Sequence, residues 1–116
     1  MVNDLPEKSV VEVAEMRLQG EDFILLDVRE PMELSIASLG DEVLLAPLSQ
    51  IAARYEDALP EEMEDKSVEV VVVCHHGNRS AQVTAWLLSN GWSNVYNMVG
   101  GIDAYAKEVD PTINLY

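Results

Sequence analysis

The chain has one cysteine in 116 residues, so no disulfide forms within it and nothing in it calls for an oxidising compartment. Basic residues are scarce: 7 Lys and Arg stand against 21 Asp and Glu, a net charge of −14. That balance argues against nucleic acid or an anionic lipid surface as a partner. No run approaches the roughly 18 consecutive apolar residues of a membrane helix. The opening segment MVNDLPEKSVVEV carries acids where a secretion signal would be basic and then apolar. A soluble cytoplasmic protein is therefore expected. The length suits one domain over residues 1–116, most domains holding about 100–150 residues, and a 48% apolar content suffices for one core. There is no internal repeat, low-complexity tract or Gly/Ser linker.

One further absence is local. Residues 1–69 hold 18 acids and 5 bases, whereas residues 70–116 hold 3 and 2, and no acid lies between Glu69 and Asp103. Arg79 and both histidines fall in that gap. A buried strand and helix exclude charge anyway, which explains most of the pattern. It also suits an anion site.

Ser9-Val-Val-Glu12 reads as a capping box that opens a helix ending near Gly20. Phe23 to Val28 is a nearly unbroken apolar run, as expected of a strand buried on both faces. A weaker run, Val43 to Ala46, ends at Pro47. A second helix is expected over about Gln50 to Leu59 with Ser49 as its cap, then an acidic, solvated loop from Pro60 to Lys66. Val68 to Val73, β-branched at five of six positions, is the strongest strand signal. Arg79 to Asn90 reads as a helix with Val83, Trp86 and Leu87 on one face. Val95 to Met98 is a short strand, and Gly100-Gly101 turns into a last helix around Ile102 to Lys107. Strands that alternate with helices, each apolar throughout, indicate an α/β domain with a mainly parallel sheet. Ligands in such sheets sit at the carboxyl ends of the strands, which is where Cys74 falls.

The loop Cys74-His75-His76-Gly77-Asn78-Arg79 joins the strongest strand to the next helix. If it curls, its N–H groups point at one centre beside a helix N-terminus, a nest that stabilises an ionised sulfur. Gly77 supplies a conformation that side chains disfavour, Ser80 caps the helix or adds a hydrogen bond, and Arg79 holds an incoming oxyanion. Other readings stand beside this one. Cys74 could be an inert buried thiol. Cys74, His75 and His76 could bind a metal, but three adjacent residues converge poorly on one tetrahedral ion and no spaced ligand completes the set. Cysteine phosphatases and arsenate reductases also place a loop between strand and helix, with five residues between cysteine and arginine. Here there are four, a tighter ring suited to a smaller terminal atom.

These motifs resemble those of the single-domain rhodaneses, sulfurtransferases of the rhodanese homology family, from Ser9 to about Tyr105. Leu25 to Glu33 is similar to the family's early signature, Cys74 to Ser80 to its active loop, and Val99 to Tyr105 to its closing motif. Ala37 to Glu42 stands where the family has a His-Ile-Pro-Gly-like segment, and Tyr105 where it commonly has tryptophan. The resemblance implies a rhodanese-like three-layer α/β fold, its central, mainly parallel sheet of about five short strands flanked by helices. It implies that Cys74 takes sulfane sulfur from a donor such as thiosulfate as a persulfide and passes it to a thiol, a protein cysteine or cyanide. His75, His76, Gly77, Asn78, Arg79 and Ser80 would form the substrate site, with the backbone of the two histidines mattering more than their rings. Asp27 and Arg29 would support it as an ion pair. No cofactor or metal is expected, and a monomer is. The alternative function is a non-catalytic protein-binding module on the same fold, although such modules often lack the cysteine.

Overall fold

The computed structural model describes residues 5–116; the first four residues of the acidic opening segment lie outside the described residues. Strand β1 (Glu7–Lys8) leads into helix α1 (Val10–Leu18), then β2 (Ile24–Asp27), α2 (Pro31–Leu34), β3 (Leu44–Leu45), α3 (Leu48–Arg54), β4 (Val70–Val73), α4 (Asn78–Ser89), β5 (Val95–Met98) and α5 (Gly101–Glu108). The five strands form one parallel sheet in the order β1-β5-β4-β2-β3. Its middle strand, β4, is buried at all four valines.

Alternation along β4 divides the core into two. Val70 and Val72 face Ile51 of α3 and Val83 and Leu87 of α4. Val71 and Val73 face Val13 of α1 and Ile102 and Tyr105 of α5. Cys74 continues the first set, so its side chain lies on the side of α4. That alternation aims the sulfur at the start of the following helix.

The elements start and stop for local reasons. Ser9 Oγ accepts the Glu12 N–H and the Glu12 carboxylate accepts the Ser9 N–H, the full capping box. Three expectations need correction. Helix α3 begins at Leu48 with Pro47 before it, and Ser49 is no cap, because its hydroxyl donates to Glu30 Oε1 at 2.7 Å. That helix also ends at Arg54, where Tyr55 takes a φ of 55°, and a 3₁₀ turn continues to Ala58. The acidic segment is not merely solvated: Met63 is buried among core residues and its carbonyl accepts the Trp92 indole N–H at 3.0 Å. Strand β1, absent from the sequence reading, pairs Glu7 and Lys8 with Asn97 and Met98. No helix among the described residues is long and apolar enough to cross a membrane.

Candidate active site

Cys74 follows β4 directly and is 1% exposed. Its Sγ accepts the N–H of Gly77 at 3.1 Å and of Ser80 at 3.3 Å, and the Ser80 hydroxyl lies 3.2 Å away. The peptide N–H groups of His75, His76, Asn78 and Arg79 have no acceptor among the described residues. The loop therefore gives the sulfur two N–H donors, leaves four further N–H groups unclaimed, and brings no carboxylate into hydrogen-bond contact with it. An electron-rich sulfur is the group such a ring stabilises.

Two glycines make the curl possible. Gly77, at φ 103°, is the residue before α4, and a Cβ there would approach the Gly100 nitrogen to 3.2 Å. Gly101 matters more. The first turn of α5 donates Ile102 N–H to the Cys74 carbonyl and Asp103 N–H to the His75 carbonyl, at 2.9 and 3.0 Å. These bonds hold the carbonyls of Cys74 and His75 toward α5 while the N–H groups of Gly77 and Ser80 serve the sulfur. A Cβ on Gly101 would fall 2.4 Å from the His75 oxygen and 2.5 Å from that of Cys74. The Gly-Gly turn, a weak signal by itself, is thus part of the loop's construction.

Around the ring lies a polar clasp. Asp27 and Arg29 form a buried ion pair at 2.8 Å, and Arg29 also donates to the carbonyls of Ala37 and Glu33. Arg29 thereby fixes α2 and the segment after it. That places Glu33 against Arg79 in a two-pronged pair, at 2.7 and 2.9 Å. Arg79 holds the Glu33 carboxyl well below the usual range, at about 2, and its own guanidinium is held above its ordinary value by the same bonds. Arg79 is therefore no bare cation at the loop. Glu33 lies 46 positions away in the chain, too far for the sequence pattern to reveal the pairing.

Tyr116 completes the rim. Its ring stacks on His75 with centroids 3.7 Å apart and 3° between planes; its hydroxyl donates to Glu33 Oε1 at 3.0 Å and accepts from Arg29 Nη1 at 2.8 Å. The His75 ring is held between Tyr116 and His76, and its Nε2 is buried without a partner. Burial, with His76 beside it, pushes the His75 imidazole down from its ordinary value and so favours the neutral ring. His75, His76 and Asp103 bring ligand atoms within 4.8 Å of one another. Asp103, however, already pairs with Lys107 at 2.9 Å, so a metal there would have to compete with that cation for the carboxylate. A cleft of about 670 Å³ between α1 and α5, lined by Leu18, Phe23 and Tyr105, includes no residue of the cysteine loop.

The structure thus brings Cys74, Gly77 and Ser80 into contact, places Arg79 at the rim against Glu33, and sets the two histidine rings outside. It adds three residues that the sequence reading did not select: Glu33, Tyr116 and Asn97. Asn97 is buried on β5, where its Oδ1 accepts the Ser80 hydroxyl at 2.6 Å. A polar residue in an otherwise apolar strand run was the available signal.

Known proteins are similar to this chain in sequence and in fold. The family model for the rhodanese-like domain matches residues 9–108. A sulfurtransferase from Allochromatium vinosum is 32% identical over 97% of this chain and 96% of its own length. The rhodanese-like/PpiC domain-containing protein 12, chloroplastic, from Arabidopsis thaliana is 41% identical over 96% of this chain, which spans only 38% of that relative. A rhodanese-related protein from Thermoplasma volcanium superposes with a TM-score of 0.74 at 26% identity, covering 96% of this chain and 99% of its own. With the five-stranded parallel sheet and a cysteine loop at its carboxyl edge, the chain belongs to the rhodanese-like domain family, a family of sulfurtransferases.

Proposed function

We propose that the protein transfers sulfane sulfur through a persulfide on Cys74, taking it from a thiosulfate-like donor and giving it to a thiol or a protein cysteine. The observation that carries this reading is the sulfur itself, held at the end of a buried strand by the N–H groups of Gly77 and Ser80. In the first step the Cys74 thiolate attacks the outer sulfur of thiosulfate; the donor's S–S bond breaks and sulfite leaves with the electron pair. Cys74 then carries a persulfide whose outer sulfur is negative. An acceptor thiolate attacks that outer sulfur, the new S–S bond forms on the acceptor, and Cys74 departs as thiolate. Cyanide would serve as acceptor in the same way and give thiocyanate.

The ring fits the intermediate. The outer sulfur is a single negative atom, and the unclaimed N–H groups of the loop are the donors for it. Four residues between Cys74 and Arg79 leave a smaller circle than the five of a phosphatase loop. Arg79 meets the donor's sulfonate only in competition with Glu33, so donor binding is assigned first to the loop backbone and second to Arg79. No resident cofactor or metal enters these steps. The single cysteine suits a reducing compartment such as the cytoplasm, and the protein is taken to act as a monomer.

The test compares two activities. Thiosulfate-dependent sulfur transfer should be measurable and aryl phosphate hydrolysis should stay at background. Phosphate hydrolysis that requires Cys74 and exceeds sulfur transfer would replace this reading with the phosphatase one. Neither activity, in a folded protein, would favour a binding module.

Access makes a second prediction. Cys74 is 1% exposed, and Tyr116, fastened by two hydrogen bonds and a stacked ring, covers the ring of His75, the next residue in the chain; we infer that release of Tyr116 widens the way to the sulfur. Two such bonds at about 1 kcal/mol each correspond to roughly a tenfold or greater change in opening. Tyr116→Ala should therefore speed alkylation of Cys74 by a neutral, bulky maleimide about tenfold. Equal rates would show that entry does not depend on this ring.

A further inference from the structure

The contacts of Asn97 fix the direction of one hydroxyl proton. Its Nδ2 faces the Gly77 carbonyl at 3.3 Å, which accepts only, so Oδ1 is the atom that meets Ser80 Oγ at 2.6 Å. A serine hydroxyl has one proton. Because Oδ1 also accepts only, that proton lies between Ser80 and Asn97. Ser80 Oγ then turns a lone pair toward Cys74 Sγ, 3.2 Å away, where it accepts the thiol S–H. All three side chains are buried, so no bulk water takes over any of these bonds.

Ionisation of Cys74 disturbs this arrangement. The thiol proton goes to a base in solvent, and the negative sulfur is left against an oxygen lone pair. The hydroxyl relieves the clash by rotating its proton toward Sγ. That rotation strips Asn97 Oδ1 of its donor in a buried place, which carries a cost. The Gly77 carbonyl holds the amide against flipping, although it also accepts the Ala81 N–H at 3.1 Å and does not depend on Asn97 alone.

We propose that Asn97 is a positioning residue that keeps the Ser80 hydroxyl turned away from Cys74 and so restrains formation of the attacking thiolate in the resting protein. The restraint is specific to that state. In the persulfide, Sγ carries neither proton nor charge and the negative sulfur lies one bond further out, so the Ser80–Asn97 bond stays intact. Asn97 thus slows loading and indiscriminate attack while leaving the loaded form undisturbed. This inference rests on Cys74 being the nucleophile.

Other charged or titratable groups surround the loop: His75 and His76 within it, Arg79 of α4 with Glu33 of α2, Asp103 of α5, Tyr116, and the Asp27–Arg29 pair after β2. All remain in place in the variants below, so their influence is common to every curve.

The experiment is the rate of Cys74 alkylation by iodoacetamide from mildly acidic to alkaline pH, with folding checked by circular dichroism. Asn97→Leu and Asn97→Ala remove the acceptor while changing the packing in opposite directions. Both should raise the rate on the acidic limb, roughly three- to tenfold, the scale of the net contribution of one ordinary hydrogen bond, here the Ser80–Asn97 bond whose loss no longer opposes ionisation. The alkaline plateau should stay where it is. In a Ser80→Ala background neither substitution should have any further effect. An unchanged acidic limb, an acceleration that extends to the plateau, or the same acceleration without Ser80 would overturn the proposal. Should Asn97→Leu not fold, Asn97→Ala decides alone. Thiosulfate loading of the wild type is measured on the same samples: its failure would strike the sulfurtransferase reading and leave the alkylation comparison standing.

Discussion

Cys74→Ser is expected to reduce sulfur transfer to background while leaving the protein folded. The substitution is nearly isosteric, and the serine oxygen meets the same partners: it accepts from the N–H groups of Gly77 and Ser80 and donates its proton to the nearby Ser80 oxygen, as the thiol does. Nothing in the core shifts, so thermal stability should change by no more than about 1 kcal/mol. Chemistry is lost for a different reason. A hydroxyl does not ionise at working pH and forms no persulfide, so both displacement steps vanish together rather than one slowing. The assay is turnover with thiosulfate and a thiol acceptor beside a thermal melt. A melt lowered by many degrees would mean that the sulfur had been holding structure; residual turnover at a tenth of wild type would mean that another group carries the transfer.

Gly101→Ala is expected to damage stability and site together. The backbone there has a φ of 65°, and an added Cβ would lie 2.4 and 2.5 Å from two carbonyl oxygens of the loop. Backbone atoms do not step aside as the end of a side chain does, so either α5 or the cysteine loop must move. Strain and overpacking together should cost about 3 kcal/mol or more, lowering the melting temperature by roughly 10 °C or more for a domain of this size. A control separates collision from backbone conformation. Gly20 has a similar φ of 68° with nothing within 4 Å of its Cβ position, so Gly20→Ala should cost only about 1 kcal/mol and leave the site intact. Equal losses in the two variants would show that the approach of α5 to the loop does not matter.

The parts of the fold legible in the sequence were those with many residues pointing one way. Val68 to Val73 announced β4 because β-branched side chains pack poorly elsewhere, and the position of Cys74 after that strand followed. The Ser9–Glu12 box announced α1 because both halves of its hydrogen bonding lie three residues apart. Strand β1 was hidden: Glu7 and Lys8 are only two residues, both charged, and they pair because Asn97 and Met98 offer an edge. Met63 was hidden by the four acids around it, although its own side chain is apolar and buried.

Within the site, local contacts were legible and distant ones were not. The turn from Cys74 through Gly77 to Ser80 spans seven residues, and its curl is written in them. Glu33, Asn97 and Tyr116 reach the loop only through the order of the strands and the course of the last segment. The clasp of Arg79 by Glu33 changes the electrostatic character of the loop, from a lone cation in an acidic protein to a neutral pair. Charge counting along the chain registers the acids and the arginine, but not which of them meet.

The central claim is that Cys74 carries sulfur covalently, and the mass of the intact protein after exposure to thiosulfate tests it most directly. Wild type should gain one sulfur, about 32 Da, lose it on addition of a thiol, and gain none as Cys74→Ser. A wild-type protein whose mass stays unchanged under excess thiosulfate and under other sulfane donors would contradict the account.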